Sequence, residues 1–207
     1  MNQTTRRVFG VAGFGLLLAT TASFSQEPPP VRVRGQIEKV DGDLLQIKAR
    51  NGDMLRVKLV EPARVTALVK ASLDDIKVGK FIGVTAMPQA DGSQKAIAVH
   101  IFLDAQKGVV ADRHTPWDLQ PGSTMTNAIV DTTVAGVDGQ TIMVKYKDGE
   151  KKVIVPPNTA IVAYAPGDKS ELKPGAHIFI FAAAKQADGS LTTQAINVGR
   201  DGVVPPM

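Results

Sequence analysis

Two stretches of sequence decide the fold: QIEKVDG at residues 36–42 and VAGVDG at residues 134–139. Around them the chain repeats four turn signals, whose glycines stand at 42, 52, 79 and 92 and again at 139, 149, 175 and 189. The displacements are 97, 97, 96 and 97 residues, and a drift of one residue is what a small loop insertion would produce. Self-similarity at a fixed period indicates a repeated structural unit. The sequence therefore predicts two copies of one fold.

Each copy has apolar residues at every second position, which is typical of strands with one buried face. In the first copy this alternation surrounds an Asn-Gly turn at 51–52, and in the second copy it surrounds an Asp-Gly turn at 148–149. Both dipeptides favour the positive-φ turns of β-hairpins. The alternating residues are Leu45, Ile47, Leu55, Val57 and Leu59 in the first hairpin and Ile142, Val144, Tyr146, Val153 and Val155 in the second.

A short polar stretch follows each hairpin, at 72–76 and 169–172, and is typical of one or two helical turns with serine caps. Each stretch leads to a tight turn, a fourth strand, an Asp-Gly-Ser turn and a fifth strand. Five strands with a short helical insertion before the fourth are the plan of an OB-like Greek-key barrel. We therefore predict an all-β protein of two tandem OB-like five-stranded barrels, at 33–104 and 126–200. The alternative is a pair of simple meanders packed as one sandwich.

The N-terminus has the features of an export signal. Arg6 and Arg7 precede an apolar run at 8–19 and a small-residue cleavage site. We expect residues 1–25 to be removed and residues 26–32 to form a disordered, proline-rich leader. The paired arginines fit general secretion and also the twin-arginine route, which exports folded proteins. Because no later segment offers about 20 continuous apolar residues, we expect a periplasmic or secreted protein without a membrane span.

The composition excludes several functions. The chain has 24 Lys and Arg against 20 Asp and Glu, and setting aside Arg6 and Arg7 leaves a surplus of two basic residues. Nucleic-acid binding requires a concentrated basic face, so this balance predicts no nucleic-acid partner. The absence of cysteine excludes disulfides, thiolate metal sites, a cysteine nucleophile and a lipid-modified N-terminal cysteine.

Residues 105–125 break the alternating pattern between the two copies. The segment carries Trp117, the only tryptophan of the chain, together with His114 and two prolines. We expect it to be an ordered linker, because long segments without secondary structure are uncommon in compact domains unless they are packed or functional. Two roles stay open for Trp117: a plug buried between the barrels, or a contact for a planar ligand or a sugar ring. Residues 201–207 follow the second copy as a tail.

Several of these motifs resemble those of a known family. The pattern Gly-x-Ile-x-x-Val-Asp-Gly at 35–42, the pattern Leu-x-x-Ile-x-Val-Gly at 73–79 and the string PWDLQPGSTMTN at 116–127 resemble bacterial exported OB-like domains of unknown function. The resemblance covers 35–103 well and 127–199 more loosely. It implies the fold and the exported location, and it supplies no reaction and no catalytic residue. Some relatives in this family have been labelled metal transporter components.

Candidate binding residues lie in the linker. Arg113 and His114 precede Trp117 and Asp118 follows it, so these four residues form the candidate ligand site. A candidate metal site combines His114 with Asp112 and Asp118, since zinc needs three or four converging ligands. The spacings H-E-x-x-H and H-x-H, which would strengthen a metal site, do not occur.

The sequence carries no catalytic signature. Ser123 stands in Pro-Gly-Ser-Thr rather than in Gly-x-Ser-x-Gly. Asp74 and Asp75 fall on an expected exposed turn, without the buried setting that separates the pKa values of a catalytic pair. We therefore expect a non-enzymatic binding or adaptor module without a cofactor, whose partner is an envelope protein or a glycan. The alternative is a periplasmic protein that binds a divalent metal ion for an uptake or resistance system.

Overall fold

The computed structural model describes residues 29–136 and 139–207. These residues form twelve β-strands and four short 3₁₀ helices, so the all-β class predicted from the sequence is confirmed. No helix among these residues is long and apolar enough to cross a membrane. The signal peptide predicted at 1–25 lies outside the described residues. Of the leader predicted at 26–32, residues 31 and 32 already belong to the first strand and not to a disordered segment.

The strands and helices have the following bounds. The strands are β1 Val31–Asp41, β2 Leu44–Ala49, β3 Met54–Lys70, β4 Phe81–Pro88, β5 Gln94–Ile101, β6 Arg113–Pro116, β7 Thr124–Gly136, β8 Gly139–Tyr146, β9 Gly149–Val155, β10 Ala160–Pro166, β11 His177–Lys185 and β12 Leu191–Gly199. The 3₁₀ helices are Leu73–Asp75, Asp104–Gln106, Lys169–Glu171 and Arg200–Gly202. Both predicted hairpins are present, as β2–β3 and β8–β9. Two of the 3₁₀ helices occupy the predicted helical stretches.

Barrel A is a closed five-stranded barrel made of β1, β2, β3, β11 and β12. Its first three strands form an antiparallel meander, β11 returns to lie beside β1, and β12 closes the barrel by pairing in parallel with β3. Three consecutive strands with a fourth beside the first define a Greek key. Its interior holds the apolar residues Val33, Ile37, Leu45, Ile47, Val57, Leu59, Ile178, Ile180, Leu191, Ile196 and Val198.

Barrel B is a second closed five-stranded barrel, made of β4, β5, β7, β8 and β9. Here β7, β8 and β9 form the meander, β4 lies beside β7, and β5 pairs in parallel with β9. Its interior holds Ile82, Val84, Ala96, Val99, Ile101, Ala128, Val130, Ile142, Val144, Val153 and Val155. Barrel B is contiguous in sequence from 81 to 155, whereas barrel A combines 31–70 with 177–199.

The observed strand pairing differs from the predicted division into barrels at 33–104 and 126–200. The fourth and fifth strands of the first copy complete barrel B, and those of the second copy complete barrel A. Strand β3 has 17 residues, and its last part, residues 66–70, pairs with β10 while residues 64–68 still pair with β12 of barrel A. After β3 the chain enters β4 next to β7 and not next to β1. Since equivalent strands share one apolar pattern, the exchange keeps both interiors filled.

The turn between the fourth and fifth strands is built alike in both copies. Gly92 has a φ of +81° and Gly189 a φ of +80°, which is the left-handed region that favours glycine. Asp91 Oδ1 accepts hydrogen bonds from Ser93 N at 3.0 Å and from Ser93 Oγ at 2.6 Å. In the second copy, Asp188 Oδ1 accepts hydrogen bonds from Ser190 N at 2.9 Å and from Ser190 Oγ at 2.6 Å. The repeated Asp-Gly-Ser signal thus encodes the same turn twice.

Strand β10 joins the two barrels. It pairs antiparallel with the end of β3 and parallel with β5, so one continuous sheet runs through both barrels. The outer faces of the strands at this junction carry a third apolar cluster. Its members are Leu68, Val162, Phe179 and Met207, with Trp117, Tyr164 and Val203 packed against them.

The segment predicted as a linker at 105–125 does not lead from one barrel to the other, because β5 before it and β7 after it both belong to barrel B. It includes the end of a 3₁₀ helix and all of β6, which pairs with β7. The tail at 201–207 packs on barrel A. There Arg34 Nε donates a hydrogen bond to Met207 O at 2.6 Å, and Arg50 Nη2 donates one to Pro205 O at 2.7 Å.

Candidate functional site

A pocket of about 440 Å³ opens at the junction of the two barrels. Its walls come from both barrels, from β10, from the segment between β5 and β7, and from the tail. The lining residues are Arg64, Thr66, His100, Phe102, Gln106, Val109, Val110, Ala111, Arg113, Thr115, Trp117, Met125, Asn127, Tyr164, Phe179, Phe181, Ala195, Asn197 and Met207.

Strand alternation directs these side chains into the pocket and not into the barrel interiors. On β3, Arg64 and Thr66 line the pocket, while Val65 between them packs in barrel A. On β11, Phe179 and Phe181 line the pocket in the same way. Because successive residues of a strand face opposite sides, the strands that fill barrel A also build one wall of the pocket.

Aromatic rings form much of the pocket wall. Phe102 and Tyr164 stack with ring centroids 5.1 Å apart and planes 5° apart. His100 approaches these two rings edge-on, at 5.4 and 6.1 Å. Trp117 and Phe181 form a second stacked pair at 6.0 Å. Such walls favour contact with flat apolar groups.

His100 is a buried titratable side chain of the pocket. It is 3% exposed, and its Nδ1 atom has no hydrogen-bond partner among the described residues. Burial lowers the pKa of the imidazole to about 4, so the ring is neutral near pH 7. A Cβ at Gly83 would collide with His100 Nε2, so glycine at this position provides the room for the ring. The pocket therefore contains a neutral imidazole and not a cation at this position.

Two arginines of the lining have no ionic partner within the part of the chain that the structure describes. Arg64 and Arg113 are exposed, and neither forms a salt bridge with a described residue. The described lining residues also include no Asp and no Glu. A cleft lined by charge of one sign attracts ions of the opposite sign. The two fully charged side chains that line the pocket, Arg64 and Arg113, are therefore both positive.

Trp117 connects the barrels at the edge of the pocket. Ser123 fixes its backbone: Trp117 N donates to Ser123 O at 2.8 Å, and the Ser123 hydroxyl lies between two acceptors, Gln120 O at 2.7 Å and Trp117 O at 3.1 Å. The indole is partly buried, its Nε1 atom has no partner among the described residues, and the Arg32 guanidinium lies 4.2 Å from the ring centroid. Since Trp117 follows β6 and Arg32 belongs to β1, this contact holds barrel B against barrel A.

Asp118, the next residue, also joins this segment to barrel A. Its carboxylate accepts hydrogen bonds from Arg34 at 2.7 and 3.3 Å and pairs with Arg32 at 3.3 Å. Burial acts to raise the pKa of Asp118, but the hydrogen bonds and charges of Arg34 and Arg32 outweigh it and hold this pKa below its usual value. The carboxylate is thus ionised and committed to two arginines of barrel A.

The four residues predicted to bind a ligand are only partly brought together. Arg113 and Trp117 line the pocket, whereas His114 and Asp118 do not. His114 Nδ1 lies 2.8 Å from Thr126 Oγ1, and burial together with Lys151 lowers the pKa of the His114 imidazole.

The predicted alternative of a metal site at Asp112, His114 and Asp118 is not supported. Among residues 29–136 and 139–207, no three His, Cys, Asp or Glu side chains lie close enough together to hold a metal ion. The physical reason is that two of the three side chains have other partners. His114 is hydrogen-bonded to a threonine and Asp118 is bound to two arginines.

Several pocket residues were not recognised in the sequence. Arg64, Tyr164 and the neighbouring His100 and Phe102 come from three strands or strand ends that are far apart in the chain. One signal was available: Phe179 and Phe181 alternate with core residues and so had to face outward on β11. Large aromatic side chains on an outer strand face indicate a covered surface or a binding site.

No family model, curated protein or solved structure matches this chain. The pocket, its side chains and the two barrels that form it are therefore the features from which a function is inferred.

Proposed function

We propose that the protein is an exported, non-enzymatic binding module whose ligand is a small molecule held in the pocket at the barrel junction. One observation carries this proposal: five aromatic side chains from both barrels and the connecting segments surround a single pocket of about 440 Å³. Small-molecule sites typically have volumes of about 300–1,000 Å³, apolar walls and a few fixed polar groups. The pocket has this size and this composition.

The polar groups of the lining favour binding over catalysis. His100 is buried and neutral, and the described lining residues include no Asp or Glu side chain to act with it in general acid–base chemistry. Asn127 Nδ2 donates to Ala111 O at 3.1 Å, and Asn197 Nδ2 donates to Phe179 O at 3.2 Å. These bonds fix both amides, and fixed polar groups orient a ligand.

We also propose that the two barrels are OB-like. In its favour are the five strands, the Greek-key order and the 3₁₀ helix that precedes each fourth strand. The fourth and fifth strands are exchanged between the copies. The resemblance to exported bacterial OB-like domains and the signal-like N-terminus support a periplasmic or secreted location.

An adaptor function is the second candidate, and one observation favours it. Phe181 and Val109, which are 47% and 77% exposed, lie at the pocket. Exposed apolar side chains beside a pocket also suit contact with a partner protein or an envelope glycan. Filling the pocket separates the two candidates, because it removes a small-molecule site and leaves the surrounding surface in place.

The test uses three two-ring compounds of different charge: 2-naphthamide, 2-naphthoate and 2-naphthylmethylammonium. Binding to the purified protein is followed by protein NMR and by Trp117 fluorescence. We expect at least one compound to shift the resonances of pocket residues. Ala195→Phe fills the pocket from an exposed position and should weaken this binding by about tenfold or more. Ala184→Phe makes the same change on β11, outside the lining, and should leave binding unchanged.

Absence of binding by all three compounds would overturn the proposal. So would binding that Ala195→Phe leaves unchanged, because the compounds would then occupy another surface.

A further inference from the structure

We propose that the pocket selects a planar aromatic molecule that carries a carboxylate, an inference that rests on the proposed function and specifies its ligand. Three features of the pocket lead to this class: its unpaired guanidinium groups, its stacked aromatic walls and its unsatisfied polar atoms.

The charge of the ligand follows from how the nearby arginines are used. Arg32 and Arg34, on the barrel A side, share the carboxylate of Asp118. Arg64 and Arg113 line the pocket itself and have no such partner among the described residues. A guanidinium presents a planar set of donors that matches a carboxylate and binds it through two parallel hydrogen bonds. A ligand carboxylate would pair with Arg64 or Arg113 in the same way as the Asp118 carboxylate pairs with Arg32 and Arg34.

The planarity of the ligand follows from the walls. Phe102 and Tyr164 are nearly parallel, with 5° between their planes, and Trp117 and Phe181 lie 21° apart. Aromatic rings prefer offset stacking or edge contacts with further rings, at centroid distances of about 4.5–7 Å. Both pairs belong to the lining. Because Phe102 also stacks on Phe81, 4.9 Å away, the ring faces left for a flat ligand are those of Tyr164 and of the exposed Phe181.

Two buried polar atoms in lining residues add a preference for hydrogen-bond acceptors. Trp117 Nε1 and His100 Nδ1 have no partner within the described part of the chain. An indole N–H can only donate, and a neutral imidazole nitrogen donates or accepts according to its tautomer. Buried polar groups without partners are uncommon in native proteins and frequently mark the place of a water or a bound group. A carboxylate offers acceptors and no donor, which suits Trp117.

The experiment compares the affinities of 2-naphthoate, its neutral isostere 2-naphthamide and the cation 2-naphthylmethylammonium, measured by titration calorimetry on the purified protein. We expect 2-naphthoate to bind about tenfold more tightly than 2-naphthamide, the ratio typical of one charge-assisted hydrogen bond. The cation should bind most weakly. The affinity for 2-naphthoate should fall as salt rises, because salt screens an exposed ion pair.

Variants identify the groups responsible. Arg64→Gln and Arg113→Gln together should abolish the preference of the pocket for 2-naphthoate and leave the affinity for 2-naphthamide unchanged. Arg56→Gln and Lys58→Gln together are the matched control: they remove the same two positive charges from exposed residues of β3 outside the pocket, and they should keep the preference. All four positions are exposed, and circular dichroism verifies that each variant is folded.

The outcomes separate this inference from the proposed function. Equal affinities for 2-naphthoate and 2-naphthamide, both lowered by Ala195→Phe, would overturn charge selection and leave the pocket as a binding site. A preference for the cation would overturn it in the same way. If none of the three compounds binds, both the ligand class and the pocket function are wrong.

Discussion

Replacing Trp117 by alanine measures how strongly the two barrels hold each other. Trp117 follows β6, which pairs with β7 of barrel B, and its side chain packs on Arg32 and Phe181 of barrel A. Replacing a buried Trp by Ala typically costs about 3–5 kcal/mol. Because this indole is only partly buried, we expect Trp117→Ala to lower the free energy of unfolding by about 2–3 kcal/mol.

The expected cost can be divided among three contacts. The stacked pair with Phe181 contributes about 0.5–1.5 kcal/mol. The cation–π contact with Arg32 contributes about 0.5–1 kcal/mol, the range for exposed sites. The remainder comes from apolar surface packed on the third cluster, whose members include Phe179 and Met207. A double-mutant cycle with Arg32→Gln should therefore give a coupling energy of about 0.5–1 kcal/mol.

Urea unfolding followed by far-ultraviolet circular dichroism measures these free energies without a tryptophan. Trp117→Phe keeps an aromatic ring beside Arg32 and Phe181, so it should lose less than Trp117→Ala. A loss of under about 0.5 kcal/mol for Trp117→Ala would refute the reasoning, since surface substitutions typically fall in that range. The reasoning would also be refuted if the fluorescence of Trp117 in the native protein were typical of a water-exposed indole and acrylamide quenched it freely.

Two further predictions concern stability. Met207→Ala should lower the free energy of unfolding by about 2 kcal/mol or more, because Met207 is 1% exposed in the third cluster. Met54→Ala is the control: Met54 is 57% exposed, so its replacement should lower this free energy by under about 0.5 kcal/mol in the same urea assay. Burial lowers the pKa of His100 from 6.5 to about 4, so the unfolded chain binds the proton first and stability is lost as pH falls from 6.5 towards 4. Between pH 7 and pH 4 the native protein should therefore lose about 3 kcal/mol more than His100→Gln, and equal losses would contradict the neutral state of this ring.

Local structure was predictable because it is encoded by neighbouring residues. The Asp-Gly-Ser turns form through hydrogen bonds from Ser93 to Asp91, two positions earlier in the chain, and the same holds for the second copy. The alternation of Leu45 and Ile47 with polar residues likewise specified β2 and its buried face. These features depend on backbone preference and strand periodicity, both of which can be read from one short stretch.

The pairing of strands between the copies was not predictable, because it depends on a choice between two similar partners. β4 could lie beside β1 or beside β7, since both are first strands of a meander. In the structure β4 lies beside β7, and β10 pairs with the end of β3 and with β5. The pocket shares this limit: Trp117 and Arg113 were found from an unusual segment, whereas His100 reaches the pocket on the exchanged strand β5 and Tyr164 on β10, which pairs with β3 and β5.

The interruption of barrel A in the sequence sets the order in which a growing chain can complete its two barrels. All five strands of barrel B exist once residue 155 has been synthesised, whereas barrel A waits for β12, which ends at Gly199. Until then β1 and β3 lack their partners β11 and β12, and unpaired strand edges promote aggregation. A chain that is held unfolded until its synthesis is complete avoids this exposure, because both edges then meet their partners in the same folding event.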